Sequence, residues 1–232
     1  MRGDNGDSRL PPGRDRLPPF PRGPVLAVVA LILLHFALVI WRIEHFPDWE
    51  WLLRDGGLLA GSTAQQPWRL VTSLFLHVDF RHALWNGVST LVFAVPLITY
   101  LGQFRAALIY FGAGIGGGIA ALSAAPAGTL IVGSSGAVAG LFGAWVVVRL
   151  RSARYAEITW RVRMRAAGIG LLVLPALLNP VTPAGQPISV SSHLGGLFTG
   201  MLVGAVISRG LLPRDERPFD DEDEEEPDFF TR

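Results

Sequence analysis

Two polar residues near the starts of separate apolar segments could together carry out nucleophilic catalysis. Ser135 follows an uncharged, glycine-containing loop at the start of one segment, and His193 lies close to the start of another. A neutral imidazole can accept the proton of a serine hydroxyl, which is otherwise a weak nucleophile. The first backbone amides of a helix have no partners within it, so they favour negative charge developing beside them. These residue types are the parts of a Ser-His dyad with part of an oxyanion hole.

A third apolar segment begins with two further residues that suit this chemistry. His82 and Asn86 are four residues apart, so they share one face of a helix, and both can donate a hydrogen bond to an oxyanion. A zinc site formed by His77, His82 and His193 is the alternative. We reject it because a spacing of five does not align two ligands on a helix, HExxH is absent, and the apolar segments hold no carboxylate to act as a base. We therefore expect neither a metal nor another cofactor.

The depth of these residues is consistent with a shared site. Ser135, His193 and Asn86 lie 14, 16 and 19 residues before the arginine that follows each segment. At ~1.5 Å per helical residue they stand roughly 21 to 28 Å above that end, within a hydrocarbon core of ~30 Å. Polar groups inside a membrane are functional candidates by default. His35, in contrast, is alone on its apolar segment, and we interpret it as a tolerated residue that could hydrogen-bond to a neighbour.

Small residues repeated every four positions indicate which segments pack closely. They mark one face of the segment after Ser135 and one face of the segment around His193, namely Gly136, Gly140 and Ala144, and Gly196, Gly200 and Gly204. Such stripes let membrane helices approach backbone to backbone. Close contact between these segments would bring the Ser135 hydroxyl toward the His193 ring. Simple helix packing with an incidental serine and histidine is the other interpretation.

The composition is that of an integral membrane protein. Of 232 residues, 50% are hydrophobic and only 17% are charged, with a mean hydropathy of +0.39, whereas a soluble domain has about 25% charged residues. This excludes a soluble enzyme, a nucleic-acid-binding module and a disordered chain. The lack of cysteine excludes disulfides, thiolate metal sites and a cysteine nucleophile. Six apolar segments are predicted to span the membrane: 24–41, 83–101, 106–125, 135–148, 166–178 and 190–208.

The arginines predict how these spans are oriented. They are concentrated in the N-terminal arm and between spans four and five, whereas loops 126–134 and 179–189 carry no charge. Because cytoplasmic loops carry the excess of basic residues, we expect both termini inside and spans two, four and six running from outside to inside. The predicted organisation is a disordered cytoplasmic arm at 1–23, a six-span domain at 24–209, and an acidic, disordered cytoplasmic tail at 210–232.

Three motifs make the chain resemble the rhomboid family of intramembrane serine proteases over about residues 24–209. They are Trp68-Arg69 followed by TSLFLHVDFRHALWN, then GSSGAVAGLFGA, then SHLGGLFTG, which begin at positions 72, 133 and 192. They fall in this order on spans two, four and six. The resemblance implies an all-α membrane protein, a rhomboid-like bundle of six transmembrane helices with both termini cytoplasmic.

The resemblance also implies a role for each motif residue. Ser135 of GxSG would be the nucleophile and His193 its general base, as a dyad without aspartate. His82, Asn86 and the Ser135 backbone amide would form the oxyanion hole. The residues expected to support the site are Gly133, Gly136, His77, Trp68 and Arg69.

The resemblance extends to two loops, and the chain departs from the family pattern at three places. Loop 42–70 would be the membrane-embedded first loop, and 179–189, which contains three prolines, a flexible cap over the site. Ala139 stands where the family usually has an aromatic residue, and Ser192 precedes the histidine where alanine is common. A glutamate often found near the inner end of span two is replaced by apolar residues and threonine at 97–99.

The implied function is that of an intramembrane serine endopeptidase that cleaves single-span membrane proteins near the outer membrane face. Water would reach the nucleophile through a polar cavity lined by His82, Asn86, Ser134 and Ser192. The expected partners are single-span substrates and the lipid bilayer, not nucleic acid, and the expected location is a bacterial inner membrane. A catalytically inactive rhomboid-like protein that binds transmembrane helices is the alternative. A transporter is disfavoured because the spans lack Asp, Glu, Lys and Arg.

Overall fold

A computed structural model describes residues 22–45, 56–155 and 189–209. The elements in chain order are α1 (Arg22–His45), β1 (Leu58–Leu59), a 3-10 turn (Thr63–Gln65), α2 (Arg69–Thr72), a second 3-10 turn (Ser73–Phe75), α3 (Phe80–Leu101), α4 (Gln103–Ala124), β2 (Leu130–Ile131), α5 (Ser135–Tyr155) and α6 (Val190–Ser208). Several predictions lie outside the described residues: most of the N-terminal arm, part of the first loop, the span 166–178, nearly all of the cap and the acidic tail.

Four of the described helices are long and apolar enough to cross a membrane, namely α1, α3, α4 and α6. They contain four of the predicted spans to within a few residues. The predicted span 135–148 lies in α5, which has 21 residues and continues past Arg149 and Arg151. Helix α5 is not one of the four candidate membrane-spanning helices. The described chain is therefore mostly helical, with four candidate membrane-spanning helices.

Helices α5 and α6 pack backbone to backbone along their length. Gly196, Gly200 and Gly204 of α6 face Gly136, Gly140 and Ala144 of α5, in that order. A Cβ atom built on Gly196 or Gly200 would overlap the carbonyl group opposite, and one on Gly204 would lie 2.9 Å from the Cα of Ala144. We call this contact the α5–α6 seam. It confirms the packing predicted from the small-residue stripes, and its ascending pairs show that the two helices are parallel.

Helix α4 crosses this pair in the opposite direction. Ala120 approaches Gly195, and Gly112, two turns earlier in the chain, lies opposite Val203. Ala113 of α4 also packs directly on Gly140 of α5. Helix α4 therefore covers the seam and closes the core of the bundle on that side.

Helix α1 packs on α3 through larger side chains, in a contact that we call the α1–α3 seam. Ile32 lies against Gly87, where a Cβ atom would come within 2.9 Å of its Cγ2. Phe36 stacks on Phe80 with ring centroids 4.8 Å apart. Near the end of α1, Arg42 donates a hydrogen bond of 2.9 Å to the Val78 carbonyl.

Arginines join the C-terminal parts of α3, α5 and α6. Arg149 donates to the Tyr100 hydroxyl at 2.7 Å, and Arg151 donates to Ser208 Oγ at 3.0 Å. These three helices therefore run parallel to one another and opposite to α4. Helices α3, α4, α5 and α6 correspond to predicted spans two, three, four and six, and their directions relative to one another are as predicted.

Candidate active site

The N-terminal ends of α3, α5 and α6 meet at one end of the bundle, and the turn that leads into α5 lies between them. This turn follows β2, which pairs antiparallel with β1 and so holds the loop before α5 in place. Gly133 has φ +115° and donates its amide hydrogen to the Ser73 carbonyl at 2.9 Å. A Cβ atom on Gly133 would lie 2.8 Å from Cε1 of His82. Glycine is therefore required both by the backbone conformation and by the imidazole packed against it.

Ser134 and Ser135 have different environments at the start of α5. The Ser134 carbonyl accepts from the Val138 amide at 2.9 Å, so Ser134 precedes the first helical residue, Ser135. The amides of the first helical turn have no acceptor within the helix and point toward this end of the bundle. Ser135 is partly exposed. Ser134 is fully buried, with its Oγ 3.4 Å from Nε2 of His77. The sequence-based prediction that Ser134 lines an open cavity is therefore wrong.

The first turn of α6 lies against the first turn of α5. Ser189 caps α6 by accepting a hydrogen bond of 3.2 Å from the Ser192 amide. Ser192 is packed so closely that a Cβ atom on Gly136 would lie 2.9 Å from its Oγ. His193 follows it and is buried, with 6% of its surface exposed. The parallel seam thus brings the turn that carries Ser135 next to the turn that carries His193.

Helix α3 brings His82 and Asn86 to the same place. The Asp79 carboxylate caps α3 by accepting from the His82 amide at 2.7 Å, which fixes where the helix begins. One turn later, Asn86 is buried, and its Nδ2 has no hydrogen-bond partner among the described residues. This nitrogen lies 3.7 Å from the position of a Cβ atom on Gly133. An uncommitted amide donor therefore faces the turn before Ser135.

His77 connects this site to helix α1. Its ring is 1% exposed and lies between the rings of His35 and His82, with centroid distances of 4.9 and 5.0 Å. Burial, together with the neighbouring His82, lowers the pKa of His77 to about 2, so its ring is neutral at physiological pH. His35 was interpreted from the sequence as an isolated residue. The structure instead places it against His77, a contact between distant parts of the chain that no local pattern signals.

Trp68 and Arg69 stand at the start of α2, in the last part of loop 42–70. Trp68 is exposed, whereas Arg69 donates a hydrogen bond of 2.8 Å to the Gly57 carbonyl and another to the Gln66 side chain. At the last residue of α2, Thr72 Oγ1 donates to the Gly56 carbonyl at 2.8 Å. These bonds hold the segment that leads into β1, and β1 in turn holds β2.

Two of the departures from the family pattern lie in the hydrophobic core, and the third lies beside the candidate site. Ala139 is fully buried, and so is Leu97 near the inner end of α3, where the family often has a glutamate. Ser192 keeps a small side chain where Gly136 and Gly117 approach it. Each of the three positions is therefore filled by a side chain that the local packing accommodates.

The comparisons with known proteins agree with this architecture. A family model described as a Rhomboid domain matches residues 64–210, a range that contains every candidate site residue and leaves out α1. The putative rhomboid protease YdcA of Bacillus subtilis is 32% identical over 179 residues, which are 75% of this chain and 86% of the relative. Rhomboid-related protein 2 of Mus musculus is 25% identical over 79% of this chain and 64% of its own length. Rhomboid protease GluP of B. subtilis is 29% identical over 60% of this chain, and only 26% of that longer protein is covered.

The length of the match and the order of the motif-bearing helices lead to one conclusion. The family model covers more than half of the chain, and the membrane-spanning character of α1, α3, α4 and α6 agrees with it. The chain is an integral membrane protein and belongs to the rhomboid family.

Proposed function

We propose that the chain is an intramembrane serine endopeptidase whose catalytic dyad is Ser135 and His193. Its oxyanion hole consists of the Ser135 amide, His82 and Asn86. The substrates are single-span membrane proteins, cut near the outer face of a bacterial cell membrane, with both termini of the enzyme in the cytoplasm.

The observation that carries this proposal is the convergence of donors on the turn before Ser135. Asn86 Nδ2 faces that turn without another partner among the described residues, and the His82 ring packs on Gly133. The free amides of the first turn of α5 point the same way. A structural role for Asn86 would be better served by a satisfied amide, because an unpaired buried donor destabilises the fold. A donor held ready for a transient negative charge accounts for this arrangement.

The reaction follows from these positions. Ser135 Oγ attacks the carbonyl carbon of the scissile bond while its proton passes to the neutral His193 ring, and the carbonyl oxygen becomes an oxyanion. The Ser135 amide, His82 and Asn86 donate hydrogen bonds to that oxygen. When the tetrahedral species collapses, the C–N bond breaks, and the amine leaves with the proton from His193. Water then attacks the acyl ester with His193 again as base, which releases the carboxylic acid and restores Ser135.

The setting of the site in a membrane bundle supports this class of substrate. A peptide bond within a transmembrane helix is shielded from attack, so cleavage requires a segment that unwinds readily. Single-span proteins with small or helix-breaking residues near the outer end of their helix meet this requirement. The uncharged loop 126–134 beside the site supports the outer location, because basic residues concentrate in cytoplasmic loops.

Labelling with a fluorophosphonate probe and cleavage of a model single-span substrate test the proposal together. The wild-type chain should react with the probe and cleave, and Ser135→Ala should do neither. His193→Ala should lose nearly as much, since the hydroxyl is then without a base. Ser123→Ala, which alters an exposed serine at the end of α4, is the control and should behave as wild type. Cleavage by Ser135→Ala would refute the dyad, and a wild-type chain that binds transmembrane peptides without cleaving them would indicate an inactive family member.

A further inference from the structure

His35 occupies a position where packing alone would favour an apolar residue. It is 1% exposed and lies on the face of α1 that also buries Val28 and Val39. Neither of its ring nitrogens has a hydrogen-bond partner among the described residues. A buried polar group without a partner destabilises a fold, and a leucine would fill the same space without that cost. The packing of α1 therefore gives no reason for a histidine at this position.

The contacts of His35 lead toward the candidate active site. Its ring packs on His77 at 4.9 Å and meets the edge of Phe75 at 5.7 Å. On its other side, His77 presents Nε2 to Ser134 Oγ at 3.4 Å, and its ring lies edge-on to His82 at 5.0 Å. Ser134 directly precedes the proposed nucleophile, and His82 is a proposed oxyanion donor. One buried ring thus contacts both His35 and two parts of the site.

We propose that His35 is a positioning residue, which orients the His77 ring and selects its tautomer so that His77 holds Ser134 and His82 in place. The inference rests on the proposed function for its effect on turnover. A neutral imidazole has one donor and one acceptor nitrogen. The tautomer of His77 therefore decides whether its Nε2 donates a hydrogen bond to Ser134 Oγ or accepts one from it. In a buried environment the dipole of a second imidazole acts strongly on that choice. A leucine at position 35 would keep the packing but remove the dipole.

This role extends the site to a helix outside the matched family domain. The family model begins at residue 64, whereas His35 lies on α1. The Phe36–Phe80 stack and the bond from Arg42 to Val78 hold α1 beside the segment that carries His77. Helix α1 would therefore contribute to alignment of the site as well as to membrane anchoring.

Three variants separate positioning from packing. His35→Leu should lower kcat about tenfold with KM unchanged, because a small misplacement of reacting groups is costly. Its thermal unfolding midpoint should stay the same or rise, because an unsatisfied buried group has been removed. His35→Gln, which keeps a polar amide, should recover part of the lost turnover. Leu33→Ala, on the exposed side of α1, is the control and should leave kcat and KM unchanged.

A spectroscopic measurement tests the coupling without relying on activity. The ring ¹⁵N shifts of His77 report its tautomer, and His35→Leu should change them whereas Leu33→Ala should not. Unchanged His77 shifts, or a kcat equal to that of the wild type, would overturn the proposal. So would a parallel fall of kcat and unfolding midpoint without recovery in His35→Gln, since that is the behaviour of a packing residue. If the wild-type chain neither cleaves nor labels, the proposed function fails, and the nitrogen shifts still decide whether His35 sets the state of His77.

Discussion

The two helix contacts that border the candidate site are built in opposite ways. In the α5–α6 seam, glycines place one backbone directly on another, so no side chain can adjust between the helices. In the α1–α3 seam, contact is made through Ile32 and the Phe36–Phe80 stack, and side chains of this size can change rotamer. The first seam therefore sets the distance between two helices rigidly, whereas the second can repack.

This difference matches what each seam would have to do. Ser135 and His193 lie in the first turns of α5 and α6, so their separation depends on the closeness of two backbones. Ile32 and Phe36, by contrast, pack on Gly87 and Phe80 of α3. We therefore expect substitutions in the α5–α6 seam to abolish activity and substitutions in the α1–α3 seam to affect stability. His35 lies on α1 but packs on His77, before α3, and we expect it to affect turnover.

The largest effect is expected from adding a single carbon to the α5–α6 seam. In Gly200→Ala the new Cβ would overlap backbone atoms of Gly140, which cannot move aside as a side chain could. The helices must separate, so cleavage and probe labelling should both be lost, and overpacking should cost about 1–3 kcal/mol of unfolding free energy.

The control for that experiment is Gly112→Ala on α4. Its Cβ would lie 4.0 Å from Val203, an ordinary contact, so activity should persist. Full turnover in Gly200→Ala would show that close approach of the two helices is not what aligns the dyad.

A second substitution tests the turn that leads into α5. Gly133→Ala puts a Cβ atom 2.8 Å from the His82 ring and strains a backbone with φ +115°, and turnover should fall by about 100-fold or more. Gly128→Ala provides a matched comparison, since Gly128 has φ +83° with open space around it. That variant should lose stability through backbone strain but keep its turnover. Equal losses of turnover in both variants would mean that strain, and not displacement of His82, is responsible.

The third effect concerns α3, which packs on α1 and carries His82 and Asn86. Asn86→Ala and His82→Ala each remove one proposed oxyanion donor while the Ser135 amide remains, so kcat should fall roughly 10- to 1000-fold with little change in KM. Thermal unfolding should be affected much less, and Thr99→Ala, an exposed position on the same helix, is the control. Wild-type rates in both donor variants would remove α3 from the oxyanion hole.

The smallest effect is expected in the α1–α3 seam. Phe36→Leu removes a stacked pair with a centroid distance of 4.8 Å, which should lower the unfolding free energy by about 1 kcal/mol. Turnover should stay within about twofold of wild type because Leu preserves most of the buried surface. A loss of turnover comparable with that of Gly133→Ala would show that α1 as a whole, and not His35 in particular, controls the site.

Much of the described fold could be predicted from local sequence patterns. The apolar segments located α1, α3, α4 and α6 to within a few residues, because spanning a membrane demands a continuous apolar length. The stripes of small residues identified the partners in the α5–α6 seam correctly, because only such residues permit that approach. Local sequence patterns did not predict the contacts of Arg69 and Ser134. Arg69 holds the first loop through the Gly57 carbonyl, and the Ser134 side chain turns inward to His77. Neither contact follows from residue type.

Composition and residue spacing were enough to establish the membrane-spanning class, the motif order and the small-residue faces of α5 and α6, since these depend on local patterns along a helix. The packed structure was needed to show that the turn before Ser135 lies against His82 and Asn86, that Asn86 Nδ2 has no other partner among the described residues, and that His35 packs on His77. The residues in these contacts are far apart along the chain. Helical periodicity relates residues three or four positions apart, whereas these contacts join separate helices, and their geometry is set by how the backbones pack.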